Sequence, residues 1–347
     1  MKLSAMLKNW PRSLLFRTPY TCNIKITTRC NLRCGFCGLW SMPVHRELSL
    51  DQYRVVADLL KQVGLARAVI TGGEPLLRED TPEIIGLFSR RNISTTLLTN
   101  GTLLKSPVLN RMIRMGLNDI GISLDSLDPS RLETICGRPG IWHRVDTAIR
   151  RSVEKMPGGV VEVLTTVTRD NLSEIPDIVA YVTRDLGAWS VINPVNIPPT
   201  DASILSADTG TSGPPFDAGE VDRVYDTLKT MKTAGARILV SDRFLEDSRH
   251  YLKTGDFAWR CDAGERYFTI FPDGGLAPCS DQASIRDIMT MTPQDFRSRT
   301  YRSTVRDVQK RCGGCIFSCW REASYLFSEP SVRRERLRGL YRMIRWR

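Results

Sequence analysis

The sequence predicts an α/β protein, a partial (β/α)6 TIM-like barrel followed by a small cysteine-rich C-terminal domain. Three observations predict it. Roughly the first 200 residues alternate short apolar runs with helical patterns six times, and successive βα units of this kind build a parallel sheet that curves into a barrel. A stretch rich in Gly, Pro, Ser, Thr and Asp interrupts the pattern at 201–218. From Cys261 onward the chain is turn-rich and dense in cysteine.

Each element of the barrel follows from a local pattern. Apolar or β-branched runs predict strands at 23–27, 68–70, 120–124, 160–167 and 191–195, with one more ending at Leu97 and Leu98. Helical spacing of apolar residues predicts helices at 108–115, 142–153, 175–186 and 220–234. Ser49 and Gln52, three residues apart, have the form of a capping box, which opens a further helix.

We expect five segments along the chain. They are a basic N-terminal segment (1–21), the partial barrel (22–200), a linker and connecting helix (201–255), an auxiliary cysteine domain (256–325) and a basic amphipathic helix (326–347). Of the net charge of +11, residues 1–22 contribute +4 and residues 331–347 contribute +6, so the body carries about +1. Charge at the two ends favours contact with an anionic surface and argues against a basic groove for nucleic acid.

The basic end has an apolar stripe. Leu337, Leu340, Tyr341 and Ile344 recur at helical spacing among seven Arg, and Trp346 follows. Such a helix either docks on the protein or anchors it to an anionic membrane. No apolar run reaches the length of a membrane span and no signal peptide is visible. Ten cysteines then indicate metal or redox chemistry in a reducing cytoplasm, peripheral to the inner face of the membrane if the tail binds there.

Three cysteines of one short run, Cys30, Cys34 and Cys37, have the spacing Cys-x3-Cys-x2-Cys. A four-iron cluster held by three thiolates keeps one iron open to bind a ligand, whereas one held by four is coordinatively full. A structural zinc site is the alternative. Zinc usually takes four ligands in two close pairs, and no fourth Cys or His lies at such a spacing here. The triplet therefore favours a [4Fe–4S] cluster with an open iron.

The triplet, with Phe36 before its last cysteine, resembles the signature of the radical S-adenosylmethionine (SAM) superfamily. The segment Gly72-Gly73-Glu74-Pro75, after the second predicted strand, resembles a further motif of that family. The resemblance implies that this segment and its Glu bind the methionyl amine of SAM. A generic Gly-Gly turn with a surface Glu is the alternative.

Four more positions have a role implied by the same resemblance. Ser123 and Asp125 resemble the pair that contacts the ribose, and a strand-end cap is the alternative for them. Asn100 is either a SAM contact or a left-handed turn residue. The strand backbone near Asn193 is expected to pass the adenine.

One segment departs from the family. Relatives often read Arg-Gly-x-x-Gly where this chain reads Cys136-Gly137-Arg138-Pro139-Gly140. Cys136 stands at the position of the Arg, and Arg138 is displaced by two residues but is expected to reach the SAM carboxylate. Cys136 is then either a plain buried thiol or a hydrogen-atom donor to a substrate radical.

A second set of cysteines resembles the SPASM and twitch domains that follow the barrel in many radical SAM enzymes. The spacing Cys261-x12-Gly274-x4-Cys279 matches their opening hairpin, for which Asp273-Gly274 is a strong turn signal. Cys312, Cys315 and Cys319 follow. Five cysteines favour one auxiliary [4Fe–4S] cluster, with Cys261, Cys279, Cys312 and Cys315 as ligands and Cys319 as a substitute or spare. A zinc knuckle is the alternative.

The resemblance implies a reaction. SAM binds the open iron through its amine and carboxylate, an electron from a donor such as a flavodoxin or ferredoxin breaks its C–S bond, and a 5′-deoxyadenosyl radical abstracts a substrate hydrogen. The expected substrate is a metabolite or a membrane-associated molecule. The alternatives are maturation of a ribosomally made peptide and a non-enzymatic two-cluster electron-transfer protein. Maturases often carry a leader-binding domain before the barrel, and the 29 residues before Cys30 are expected to be too few for one.

Overall fold

The computed structural model describes residues 18–43, 46–196, 215–256 and 261–345, without the side chains of 339–345. The predicted basic N-terminal segment up to residue 17, most of the predicted linker and Trp346 lie outside the described residues.

Nine strands within the described residues form one sheet with the order β6-β5-β4-β3-β2-β1-β7-β8-β9. The six strands of the barrel are all parallel, as predicted. They are β1 (Thr21–Lys25), β2 (Arg67–Thr71), β3 (Ser94–Thr99), β4 (Asp119–Ser123), β5 (Val160–Val167) and β6 (Trp189–Pro194). The other three are β7 (Tyr267–Ile270), β8 (Gly275–Ala277) and β9 (Arg286–Asp287).

The described residues contain eleven α-helices. Between the barrel strands lie α1 (Leu50–Val63), α2 (Thr81–Ser89), α3 (Ser106–Met115), α4 (Pro129–Cys136), α5 (Trp142–Lys155) and α6 (Ile175–Ala180). After β6 follow α7 (Ala218–Thr233), α8 (Asp242–Thr254), α9 (Arg299–Arg311), α10 (Ser318–Ser328) and α11 (Pro330–Arg345). The segment predicted as one helix at 175–186 has two parts in the structure. The α-helix α6 ends at Ala180, and a π-helical turn, Tyr181–Asp185, follows it.

The helix α1 shows how local signals set these bounds. The Ser49 hydroxyl accepts from the backbone N–H of Gln52, whose side chain accepts from the backbone of Ser49, so the predicted capping box is present. Gly64 ends the helix with φ +90°, a left-handed conformation that costs glycine little. The inner face of α1, which includes Tyr53 and Leu60, is fully buried against the sheet.

Curvature of the sheet is visible in one contact. Arg67 on β2 lies 3.5 Å from the carboxylate of Glu162 on β5, although β3 and β4 separate the two strands. Only side chains on the concave face of a curved sheet can meet over that separation. Arg67 also donates to Thr96 of β3 at 2.9 Å. The interior of the barrel therefore has a polar, charged layer near the amino ends of its strands.

The cysteine-rich region continues this sheet. The hairpin predicted at Asp273-Gly274 is present, with Gly274 at φ +96° and the Asp273 carboxylate accepting from the N–H of Gly275. Its first strand, β7, pairs in parallel with β1, with Tyr267 opposite Thr21. The sequence predicted the hairpin but gave no sign of this pairing. The segment bounds proposed from the sequence stay a prediction.

The open side of the six-strand barrel is covered by α10 and the residues before it. The N–H groups of Ile316 and Ser318 donate to the side chains of Asn196 and Asn193 at the end of β6. Trp320 stacks on Tyr267 of β7, with ring centroids 4.7 Å apart. This segment therefore spans from β6 to β7.

The first half of α11 docks on the body. Val332 is buried, and Arg336 donates to the carboxylate of Glu322 and to the carbonyl of Leu239, both at 2.7 Å. Leu337 is 61% exposed. The docked-helix alternative therefore describes the start of α11. None of the described helices is both long enough and apolar enough to cross a membrane.

Candidate functional site

The three cysteines of the triplet lie together in the loop that follows β1. Each is partly exposed. The N–H of Cys37 donates to the carbonyl of Cys34 at 3.1 Å, and the N–H of Leu32 points at the Cys30 sulfur at 3.4 Å. N–H donors aimed at sulfur stabilise thiolate ligands of an iron–sulfur cluster. We call residues 30–37 the cysteine loop.

The end of α4 holds the cysteine loop. The orphan carbonyls of Ile135 and Cys136 accept from the N–H groups of Gly35 (3.2 Å) and Arg33 (2.9 Å). Arg138 donates to the carbonyl of Asn31 at 2.9 Å. The segment that departs from the family thus supports the loop, and a contact between Arg138 and SAM stays a prediction.

Cys136 lies directly behind the cysteine loop. It is buried, and its thiol is the main cause that raises the pKa of Cys34, ahead of the burial of Cys34 itself. Burial agrees with the plain-thiol alternative, and the role of hydrogen-atom donor stays a prediction.

The two glycines after β2 lie directly against residues 27–29, which lead into the cysteine loop. The N–H of Gly73 donates to the carbonyl of Thr27 at 2.9 Å. A Cβ on Gly73 would stand 2.3 Å from the carbonyl oxygen of Arg29, and one on Gly72, whose φ is +152°, would stand 2.4 Å from that of Thr27. Glycine is required at both positions because two backbone segments of the chain approach each other too closely for a Cβ.

Glu74 is fully buried, so the alternative of a surface Glu is wrong. Its carboxylate accepts from the Thr99 hydroxyl (2.7 Å) and from the N–H groups of Asn100 (2.8 Å) and Leu76 (2.9 Å). Burial raises the pKa of Glu74 and these three bonds oppose the rise. Pro75, also buried, starts the short turn that follows. Glu74 ties the end of β2 to the end of β3, and its contact with the methionyl amine stays a prediction.

Asn100 connects β3 to the cysteine loop. Its amide donates to the side-chain oxygen of Asn31 at 2.9 Å, and its own oxygen accepts from the Thr102 hydroxyl at 2.7 Å. The left-handed alternative for Asn100 is wrong, because the next residue, Gly101, takes the positive φ of +77°.

Ser123 and Asp125 differ in their surroundings. Ser123 is exposed at the end of β4, whereas Asp125 is buried and accepts from the N–H of Thr166 at 2.7 Å. Burial raises the pKa of Asp125 to about 6, opposed by its bonds to Thr166. The Asn171 amide donates to the Asp125 carbonyl. Asp125 thus serves as a strand-end tie here, and a ribose contact stays a prediction.

The remaining two predicted SAM-site residues lie at the edges of this region. Asn193 accepts from the N–H of Ser318 at 3.3 Å, so the end of β6 is bound to the start of α10. Phe36 is partly buried and packs against the main core. A SAM contact of either residue stays a prediction.

The four first-choice auxiliary ligands surround one cavity of about 540 Å³. Cys261, Cys279, Cys312 and Cys315 all line it, and Cys319, four residues beyond the last of them, does not. We call this space the auxiliary cavity. It brings together cysteines that are up to 54 positions apart in the chain.

The chemistry of these sulfurs fits a thiolate-bound cluster. The Tyr267 hydroxyl (3.1 Å) and the N–H of Ala263 (3.4 Å) lie at the Cys261 sulfur, and the N–H of Gly314 lies 3.5 Å from the Cys312 sulfur. Burial raises the pKa of Cys261 to about 11, so iron would displace its proton.

Within the described residues, no three Cys, His, Asp or Glu side chains converge as they would around one metal ion. A four-iron cluster spreads its thiolates over a wider volume than a single ion does. The 540 Å³ cavity and its sulfur-directed donors therefore suit a cluster.

Sequence reasoning missed Lys25. Its ammonium is buried at the end of β1, donates to the carbonyl of Ser280 at 2.9 Å and lies 4.6 Å from the Phe271 ring. Burial lowers its pKa to about 8, opposed by Asp281 and by cysteines of both sets, including Cys37. Lys25 thus places a positive charge at the carboxyl end of β1, against the backbone next to Cys279. The only signal in the sequence is a charged residue at the end of a strand that is otherwise uncharged.

Comparison with known proteins agrees with this geometry. Residues 24–182 match the profile of the radical SAM superfamily. The chain is 25% identical to the PqqA peptide cyclase of Gluconobacter oxydans, over 80% of this chain and 74% of that protein. It is 30% identical to the AdoMet-dependent heme synthase of Nitratidesulfovibrio vulgaris, over 63% of this chain and 60% of the relative. It is 33% identical to the antilisterial bacteriocin subtilosin biosynthesis protein AlbA of Bacillus subtilis, over 50% and 38%.

The fold is similar to that of solved structures. Streptococcus suis SuiB bound to S-adenosylmethionine has a TM-score of 0.67 at 15% identity, covering 87% of this chain and 71% of that chain. SuiB bound to the precursor peptide SuiA gives the same score at 16% identity, covering 87% and 70%.

A parallel partial barrel with three cysteines after its first strand and a cysteine-lined cavity beside it defines a class of iron–sulfur enzymes. Residues 24–182 are a radical SAM domain, as the motifs predicted, and the chain is a radical SAM enzyme. The predicted cofactors, a [4Fe–4S] cluster with SAM and an auxiliary cluster, agree with this assignment.

Proposed function

We propose that this radical SAM enzyme matures a ribosomally made peptide. The observation that carries the proposal is the extent of its similarity to a peptide-modifying enzyme. The match to the PqqA peptide cyclase covers 80% of the chain, so it has to continue past residues 24–182, where the superfamily profile lies, into the C-terminal region. The match to the heme synthase covers 63% and does not have to reach that region.

Two further relatives support a peptide substrate. AlbA is named for the biosynthesis of a bacteriocin, and SuiB has been solved with its precursor peptide bound. The first expectation from the sequence, a metabolite or membrane-associated substrate, has less support than its peptide alternative. The non-enzymatic alternative has none, because the chain is a radical SAM enzyme.

The chain's own residues would hold the cofactors in the following way. When bound, the cluster and SAM supply a 5′-deoxyadenosyl radical that takes a hydrogen atom from the substrate. Cys30, Cys34 and Cys37 would hold the cluster. Glu74 ties the glycine segment at the end of β2 to the end of β3, and the exposed Ser123 side chain is available to a ribose hydroxyl.

The C-terminal region would contribute in two ways. Cys261, Cys279, Cys312 and Cys315 would hold the auxiliary cluster in the cavity that they line. The α10 segment, bound to Asn193 and stacked on Tyr267, covers the open side of the barrel. With the cofactors bound, such a cover would help to keep water away from the radical.

The proposal is tested with the full chain after anaerobic reconstitution. Synthetic versions of short peptides encoded beside its gene are supplied with SAM and dithionite, and 5′-deoxyadenosine and the peptide mass are followed. We expect one peptide to stimulate 5′-deoxyadenosine formation and to lose two hydrogens, and the Cys34→Ala variant to do neither. Stimulation by a porphyrin or another small metabolite, with every peptide inert, would contradict the proposal.

Anchoring of this enzyme to an anionic membrane stays a separate proposal. Its support is the basic composition of residues 331–347 and the exposed Leu337. The docking of Val332 and Arg336 shows that the beginning of α11 also has a structural role.

A further inference from the structure

The helix α9 carries a stripe of positive charge. Arg299, Arg302, Arg306 and Lys310 follow one another at intervals of three, four and four residues, which places them along one side of a helix. Three of them are exposed and Arg302 is partly so, whereas Tyr301 and Val305 on the opposite side are buried. We call these four residues the basic stripe. It runs for about 17 Å along the helix at 1.5 Å per residue.

Few carboxylates lie near the basic stripe: the exposed Asp307 follows Arg306 in the chain, and Glu265 lines the same cavity as Arg306 and Lys310. Among the described residues, none of its four cations lies within ion-pair distance of an Asp or Glu. Two cations of α8, Arg249 and Lys253, are by contrast paired with Asp222. An unpaired row of cations in a body of about +1 creates a local positive field that attracts an acidic partner.

The stripe leads to the auxiliary cavity. Arg306 and Lys310 line that cavity together with the four cysteines. A macromolecule bound along the stripe would therefore cover the mouth of the space where the auxiliary cysteines lie.

We propose that the basic stripe is the docking surface for an acidic electron-donor protein of the flavodoxin or ferredoxin class. Reductive cleavage of SAM consumes one electron for each C–S bond broken, and that electron has to come from another molecule. The proposal rests on the radical SAM chemistry of the proposed function and not on its peptide substrate. Complementary charge would bring the two proteins together rapidly and weakly, as transient electron transfer requires.

The residues beside the stripe argue against a membrane. Ser303 and Asp307, which flank it, are exposed and polar. An interfacial helix needs an apolar face next to its cations to enter the lipid, and this part of α9 has none.

The test compares charge reversals in two places. Arg306→Glu/Lys310→Glu removes the half of the stripe at the cavity, and Arg299→Glu/Arg302→Glu removes the half away from it. Arg114→Glu/Arg144→Glu is the matched control, because Arg114 and Arg144 are exposed on α3 and α5 and the net change in charge is the same.

The full chain is reconstituted anaerobically, and binding of a bacterial flavodoxin is measured by calorimetry at low and at physiological salt. SAM cleavage is then driven by reduced flavodoxin or by dithionite. We expect each stripe variant to weaken flavodoxin binding by roughly tenfold or more at low salt. Each should also lower the rate of SAM cleavage driven by flavodoxin relative to the rate driven by dithionite. The control should keep both values within about twofold of wild type, and the affinity of wild type should fall as salt rises.

Three results would overturn the proposal. In the first, both stripe variants bind flavodoxin with wild-type affinity. In the second, the control variant weakens flavodoxin binding as much as the stripe variants do. In the third, the stripe variants lose binding to RNA or to anionic vesicles but still bind flavodoxin. Failure of the radical SAM chemistry itself is recognised separately, because wild type would then not cleave SAM with dithionite.

Discussion

Glu74 shows how much a single side chain does at this site. Its buried carboxylate accepts three hydrogen bonds, two of them from backbone N–H groups that would otherwise be unpaired. The residue for which the family resemblance implies a SAM contact thus also ties the end of β2 to the end of β3. These bonds show its structural role, and the SAM contact stays a prediction.

We expect Glu74→Ala to weaken SAM binding and to lower stability, because each buried donor left unpaired costs about 1–3 kcal/mol. Glu74→Gln keeps one acceptor oxygen and should fall between. Iron content, SAM affinity and urea unfolding are measured for both variants. If Glu74→Ala binds SAM normally, this segment is not part of the SAM site.

Gly73 offers a second test at the same scale. In Gly73→Ala the new Cβ would lie 2.3 Å from the Arg29 carbonyl, so the residues leading into the cysteine loop have to move. We expect the iron content after reconstitution to fall from about eight toward about four per chain. Gly158→Ala is the control, since nothing lies within 4 Å of its Cβ position. Equal iron in the two variants would show that this packing does not support the cluster.

At the scale of elements, the cysteines lie in segments between strands and helices of the sheet region. The cysteine loop follows β1, and Cys279 follows β8 of the hairpin that joins the sheet through the pairing of β7 with β1. Cys312 and Cys315 lie between α9 and α10. Lys25, at the end of β1, donates to the carbonyl of Ser280, next to Cys279. The two cysteine sets are therefore attached to one region of the sheet, even though more than 200 residues separate them in the chain.

The ligand sets predict iron counts. The triple variant of Cys30, Cys34 and Cys37 to Ala should retain about four irons, and so should the quadruple variant of Cys261, Cys279, Cys312 and Cys315. Cys319→Ala should retain about eight, because Cys319 does not line the auxiliary cavity. Iron and sulfide analysis with Mössbauer spectra distinguishes these cases. Loss of about four irons in Cys319→Ala would make it a ligand.

At the scale of the whole molecule, charge is concentrated at the two ends and on α9. The C-terminal helix α11 begins with residues that dock on the body. Its end combines arginines with apolar residues in the sequence. A chain that stops at Arg338 keeps the contacts of Val332 and Arg336. It is therefore a better test of membrane anchoring than removal of the whole helix.

We expect the chain shortened after Arg338 to keep its unfolding temperature and SAM cleavage but to lose binding to anionic vesicles. Wild type should bind those vesicles at low salt, less at physiological salt and hardly at all when they are neutral. Co-sedimentation measures the binding. If wild type ignores anionic vesicles at low salt, the membrane proposal is wrong.

The sequence by itself determined the features that depend on neighbours in the chain. The cysteine spacing, the capping box at Ser49 and the hairpin at Asp273-Gly274 each need only a few consecutive residues, and the structure contains the last two as predicted. The six parallel strands follow from a repeated local pattern in the same way. The choice of four auxiliary cysteines over five came from family resemblance and agrees with the cavity lining.

Only the tertiary structure decided what depends on residues far apart in the chain. It paired β7 with β1, gave Glu74 donors from Thr99 and Asn100, and buried Lys25 against Ser280. It also left the four cations of the basic stripe without ion pairs among the described residues, while Arg249 and Lys253 of α8 gained them. Spacing along the chain cannot reveal these contacts, because burial and charge pairing are set by elements that meet only when the sheet has closed and the C-terminal helices have covered its open side.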